Sequence, residues 1–183
     1  PDVRQETSYS CGASAFQAIA EMYGVGPTDE SWYRDALDTD PEDGTPPENI
    51  RELADSLGLQ TIAKEGMAPE TVKQWLDKGV PVILLIQAWG DPATYATDEN
   101  GHYVVAIGYT DDDLIVEDPS LRMVRGYIEW ADLDKRWHDV GSNGEKYDHW
   151  GMAVIKHEAV REVKSFSLNG NGKHLHKAGQ EWW

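Results

Sequence analysis

At Val80 the hydrophobic pattern of this chain changes period, and that change limits its fold more than any other feature. Before it, apolar residues recur at helical spacing. Phe16, Ile19, Ala20 and Tyr23 fall on one stripe, and Ile50, Leu53, Ala54 and Leu57 on another. After it, Val80 to Gln87 is nearly continuous apolar sequence with β-branched residues, the mark of a buried strand. Helices first and strands second predict an α+β domain.

The elements follow from this pattern and its punctuation. The first helix is expected from about Gly12 to Tyr23, ending before Gly24-Val25-Gly26-Pro27. A second runs from Glu30 to Leu37, capped by Thr28 or Asp29. An acidic loop covers Asp38 to Pro47, and a third helix Glu48 to Leu57, with Gly58 as its C-cap. Leu59 to Ala63 is a short strand. Pro69 suits the start of a fourth helix that ends at Lys78-Gly79. After the Val80 strand, Trp89 to Gly101 reads as loop and His102 to Tyr109 as strand. The acidic turn Asp111-Asp112-Asp113 leads into strand Leu114 to Glu117. Met123 to Ile128 forms another strand, Glu129 to Trp137 a helical turn or two, and Trp150 to Lys156 the last strong strand. These elements place one domain in residues 1–157. Residues 158–183 form a polar tail of unassigned role, consistent with a strand pair, an interface arm or an added segment.

Composition narrows the function classes. Sixteen basic against thirty-three acidic side chains give a formal charge of −17 over 183 residues. Nucleic acids and anionic membranes need basic patches, so neither is an expected partner. No stretch approaches the roughly 20 apolar residues that span a bilayer, and membrane insertion is not expected. The acids are scattered, which favours solubility or a saline habitat over substrate recognition. The loop Asp38 to Asp43 is the acidic segment placed to rim a cleft and to attract basic peptides. The single cysteine excludes an intramolecular disulfide and a cysteine-rich metal site. It leaves the compartment open, cytoplasmic or secreted after loss of an upstream signal. The opening Pro1-Asp-Val-Arg fits a processed or trimmed chain.

That cysteine, Cys11, sits where a polar, turn-like stretch gives way to the first helix. A helix N-terminus carries partial positive charge, which favours thiolate over thiol. A thiol still needs a base, and His102 is the candidate. It follows Asn100-Gly101 and opens a strong strand, although a histidine there is also an ordinary edge residue. Asp118 ends the next strand. If the two strands pair through the acidic turn, Asp118 comes beside His102, where a carboxylate fixes the ring tautomer and steadies the imidazolium. Asp118-Pro119-Ser120 is equally a turn starter. Gln5, six residues before Cys11, carries an amide able to donate to an oxyanion beside the sulfur, together with the Cys11 backbone amide.

Taken together, Gln5-x5-Cys11-Gly12-Ala13, Tyr23-Gly24, Gly101-His102-Tyr103-Val104-Val105-Ala106-Ile107-Gly108-Tyr109 and Val116-Glu117-Asp118-Pro119-Ser120 carry a resemblance. The chain resembles papain-like cysteine peptidases of the bacteriocin-processing, double-glycine leader peptidase family, and in particular stand-alone relatives of that transporter domain. The likeness covers roughly residues 2 to 156. It implies a papain-like fold, with an N-terminal helical part packed on a C-terminal antiparallel sheet. It also implies Cys11 as nucleophile, His102 as general base and acid, Asp118 as orienting residue and Gln5 as oxyanion donor. Family members cleave peptide bonds, the transporter-linked ones after a glycine pair, so the implied partner is a peptide or protein substrate. No transporter follows in this chain, and the loops at 35–47 and 89–101 look individual.

Two other functions use the same residues. An acyl transferase or peptide ligase differs only in what resolves the thioester, and a non-catalytic module would bind peptide without cutting it. No cofactor is expected. His138, His149, His157, His174 and His176 show no compact metal-ligand spacing, so no metal is expected either. His149, before Trp150, is the rival base. Trp130 and Trp137, seven apart, read as structural. Oligomeric state is left open.

Overall fold

The computed structural model describes residues 1–88, 95–121 and 125–157, and the backbone of 176–177. Five helices are described: α1 (Cys11–Tyr23), α2 (Glu30–Ala36), α3 (Pro47–Ser56), α4 (Pro69–Leu76) and α5 (Trp130–Arg136). The described strands are β1 (Gln60–Lys64), β2 (Val82–Gln87), β3 (Gly101–Tyr109), β4 (Asp113–Glu117), β5 (Gly126–Glu129), β6 (His138–Val140), β7 (Lys146–Asp148), β8 (Gly151–Ile155) and β9 (His176–Lys177). The expected helices and strands are present with ends shifted by a few residues. The expected strand at Met123 begins in the structure at Gly126, and residues 122–124 lie outside the described set. The 158–183 tail lies outside it too, except for β9, which pairs with the Gly108–Tyr109 end of β3.

The helix ends obey local chemistry. Gly24 takes a left-handed conformation, φ +66°, and its N–H reaches the carbonyls of Ala20 and Glu21, closing α1. Asp29 caps α2 by accepting from the Ser31 amide. Pro47 and Pro69 occupy the first positions of α3 and α4, where a missing N–H costs nothing.

One antiparallel sheet runs in the order β1-β8-β2-β3-β4-β5. Its central strand β2 is buried along its whole length, which explains the unbroken apolar run. The sheet has helices on both faces. Ile83, Leu85, Tyr103 and Val105 face α1, with Phe16 and Ile19 among their neighbours in the core. Val82, Leu84, Ile86, Val104 and Ala106 face the opposite core with Val72, Leu76, Leu133 and Trp137. The N-terminal helical part therefore packs on a C-terminal antiparallel sheet, and two short helices cover the far face. The β6–β7 hairpin, with Asp139 opposite Tyr147, leaves no mark in the sequence pattern; its strands have three residues each, too few for a clear alternation. Trp137 is fully buried and donates to the Trp150 carbonyl at 2.8 Å, a structural role. Trp130 lies partly buried under the Lys73 ammonium, 4.4 Å from its ring centre.

Candidate functional site

The N-terminus of α1 and the start of β3 meet at the rim of the sheet. Cys11 is the first residue of α1 and is half-buried. Gly12 follows because nothing larger fits: a Cβ there would lie 2.6 Å from the Thr45 Cβ and 3.0 Å from the Tyr103 ring. Thr45 is held in turn by the Tyr103 hydroxyl, which donates to its carbonyl at 2.8 Å. The acidic loop thus closes against the residue after Cys11. An Asp40–Gly44 bridge pinches it, and Asp40, Glu42 and Asp43 lie exposed.

His102 is 4% exposed and is the hub of the site. Its Nε2 stands 2.7 Å from Asp118 Oδ1, and its ring is also hydrogen-bonded to the Cys11 thiol, for which Nδ1 is the nitrogen left. The route to Asp118 is the β3–β4 hairpin. Val105 pairs with Glu117, so Asp118 falls opposite Val104, on the same face of the pleat as His102. Asp118 Oδ1 also accepts from the Ser120 amide (2.9 Å) and hydroxyl (2.7 Å). Asp-Pro-Ser is both the turn and the anchor of the carboxylate.

The electrostatics follow from these contacts. Burial pushes the Cys11 thiol up, but the hydrogen bond and charge of His102 outweigh it and bring the thiol below its ordinary value. Burial also works against the His102 imidazolium, yet Asp118 and Cys11 raise it to about 9. Asp118 is held below the usual carboxylate range, burial being outweighed by His102 and Ser120. A thiol that loses its proton easily beside an imidazole that keeps one is suited to attack a carbonyl and then protonate a leaving group.

Gln5 is tied to the segment that follows Asp118. Its backbone N–H donates to the Pro119 carbonyl at 2.9 Å, and its side-chain Nε2 donates to the Thr7 carbonyl at 2.7 Å. Its Oε1 is buried and has no hydrogen-bond partner among the described residues. His149 is not part of this cluster. It has φ +52°, bonds Asp148 (2.7 Å) and Asp134 (3.2 Å), and its ring lies 5.0 Å from that of Trp137.

Two residues that support the site gave no signal in the sequence. Glu30, 3% exposed, accepts from the Glu6 amide, the Ser14 hydroxyl and Arg34, fixing the approach to α1. As the first residue of a short helix it reads as solvated. Gln87 is fully buried; it donates to Asp139 and the His138 carbonyl and accepts from the Asn100 amide, two residues before His102. At the end of an apolar run a glutamine reads only as a strand terminator.

Among the described residues no group of three or more His, Cys, Asp or Glu side chains is placed to hold a metal. No helix among them is long and apolar enough to cross a membrane.

Residues 1–145 match the Peptidase_C39 like family. Comparison with curated proteins gives no match. Among solved structures, the chain is similar to a double glycine motif protease from an AMS/PCAT transporter, determined with the leader peptide. The identity is 17%, the TM-score 0.61, and the match covers 84% of this chain and 89% of that one. It is similar to the peptidase domain of Streptococcus ComA, a bifunctional ABC transporter of a quorum-sensing pathway: 22% identity, TM-score 0.60, 84% and 94% covered. A protein of Bacillus anthracis described as a C39-like peptidase gives 14% identity and TM-score 0.63, with 85% and 94% covered. At these identities the structural likeness establishes the fold, and the family match establishes the kinship.

Proposed function

The chain belongs to the Peptidase_C39 like family, and we propose that it is a cysteine peptidase that cuts peptide bonds with Cys11, His102, Asp118 and Gln5. The Cys11 thiolate adds to the carbonyl carbon of the scissile bond. The oxyanion that forms accepts from the Cys11 backbone amide and from the Gln5 side chain, whose NH₂ has a second hydrogen besides the one given to Thr7. The C–N bond breaks as the His102 imidazolium gives its proton to the leaving amine. Water then attacks the thioester; His102 takes its proton, the C–S bond breaks, and the acid leaves. Asp118 holds the ring throughout.

The observation that carries this reading is the single imidazole bonded to both Cys11 and Asp118. The family match supports a peptidase role, and the leader peptide bound to one structural neighbour supports a peptide as substrate. We assign the catalytic unit to residues 1–157. The test is a peptide library assayed with wild type and C11A. Cleavage by wild type alone, with a peptide-like electrophile attached to Cys11, is the expected result. Equal labelling of C11A would overturn the nucleophile.

A further inference from the structure

The first residues of the chain lie along the segment that ends β4. The Val3 N–H donates to Glu117 Oε1 at 3.1 Å, and two residues later the Gln5 N–H donates to the Pro119 carbonyl. The first bond is to a side chain and the second to the backbone, so together they tie the start of the chain to this segment without forming a ladder. The three residues Glu117-Asp118-Pro119 therefore do two things. Asp118 reaches forward to His102, and its neighbours on either side hold the strap that carries Gln5.

Glu117 is a costly residue to keep there. It is 2% exposed, and its Oε2 is buried with no hydrogen-bond partner among the described residues. It looks into a recess between α1 and β3 lined by Ala18, Ile19, Met22, Val105 and Ile107. The charged groups around it are Arg125, the Pro1 ammonium, Asp2 and Asp118. A buried carboxyl with one unsatisfied oxygen destabilises a fold, and an apolar side chain of similar size would avoid that. Its side-chain hydrogen bond among the described residues is to the strap.

We propose that Glu117 is a positioning residue for the oxyanion site: by accepting from Val3 it docks the N-terminal strap and so sets where the Gln5 amide stands. The inference rests on the reading of Gln5 as oxyanion donor, and its consequences are separable from that reading. Glu117→Gln keeps an acceptor of the same shape for the Val3 amide. Glu117→Leu fills the same space and removes the acceptor.

The experiment compares wild type, Q5A, E117Q, E117L and the Q5A/E117L double variant. Turnover is read on a fluorogenic peptide with a Gly-Gly pair before the cut, and Cys11 reactivity on iodoacetamide, which forms no oxyanion. Amide hydrogen exchange at Val3 and Gln5 needs no substrate. Q5A should lose about 10²–10³-fold in kcat. E117L should lose about 10-fold or more in kcat with KM little changed, alkylate at the wild-type rate, and exchange faster at both amides. E117Q should behave as wild type. The double variant should be no slower than Q5A, since the two act through one amide. Wild-type protection of Val3 and Gln5 in E117L would overturn the docking role, whatever the peptide does. Full turnover by E117L with an impaired Q5A, additive losses in the double variant, or a parallel fall in alkylation would also overturn the proposal. Full turnover by Q5A, or none by wild type, would bring down the oxyanion reading and the kinetic half of the proposal with it; hydrogen exchange would still decide the docking.

Discussion

His102 Nε2 and Asp118 Oδ1 stand 2.7 Å apart, although sixteen residues separate them in the chain. Their contact is set by the register of the β3–β4 hairpin, with a shift between Ala106 and Gly108. Ser120 donates twice to the same Asp118 oxygen, so the carboxylate is fixed before the imidazole meets it. Replacing Asp118 by asparagine should keep the shape, remove the charge and cut kcat by roughly 10²–10⁴-fold. The rate of Cys11 alkylation against pH checks the cause: the thiol of D118N should titrate higher than that of wild type.

Cys11→Ala should leave the fold intact, because the side chain is half-buried and alanine suits a helix start. Turnover should fall by about four orders of magnitude or more. Circular dichroism and a peptide-cleavage assay on the same sample check both halves.

The pH profile of kcat/KM should be bell-shaped. The acid limb belongs to Cys11, whose thiol sits below its ordinary value because the His102 contact outweighs burial. The alkaline limb belongs to His102, raised to about 9 by Asp118 and Cys11 against burial. Below the first the sulfur is protonated, and above the second no proton is available for the leaving amine. Both limbs are properties of the coupled pair. A profile still rising through pH 10 would contradict the assignment.

Glu117 should make the fold less stable as pH rises. Burial, partly offset by the Val3 amide, pushes its carboxyl up to about 8. Between about 4.5 and 8 the unfolded chain has released this proton and the folded chain keeps it, so unfolding free energy falls with pH in that window. Below it both states are protonated and the group contributes no slope. E117Q should remove this part of the slope and be the more stable protein above pH 7. Urea denaturation of both proteins at pH 5 and pH 8 measures it.

Gly12→Ala should destabilise the chain by about 1–3 kcal/mol, since the new methyl would meet Thr45 and the Tyr103 ring. A helical alanine in open space would have been favourable, so the sign tests the packing of the 39–45 loop against α1. Denaturant midpoints of G12A and wild type decide it.

Much of this was legible in the sequence. The stripes of α1 and α3, the apolar run of β2 and the Pro and Gly marks at helix ends depend on neighbours within a turn or two, and local spacing records such neighbours. Hairpin logic brings Asp118 near His102 because the end of the second strand lies beside the start of the first, but the register shift between Ala106 and Gly108 decides the face: the register at Tyr109 and Leu114, continued, would set Asp118 opposite Val105. What local pattern cannot hold is partnership over distance. Nothing near Glu30 announces Ser14 and the Glu6 amide, and nothing near Gln87 announces Asp139, 52 residues on. Glu117 shares that fate, and so does its link to Gln5. Glu117 reads as the polar end of an apolar strand and Gln5 as a donor near Cys11, and only the course of the N-terminal strap over the end of β4 turns one into the anchor of the other. Which segments are helix and strand, and which side chains are able to do chemistry, can be read from the chain alone, because period and side-chain type are local. The tertiary structure decided which carboxyls are buried, which face of the sheet each strand residue serves and how close the thiol, imidazole and carboxylate stand. Burial, charge coupling and hydrogen-bond geometry exist only once distant segments exclude water from one another.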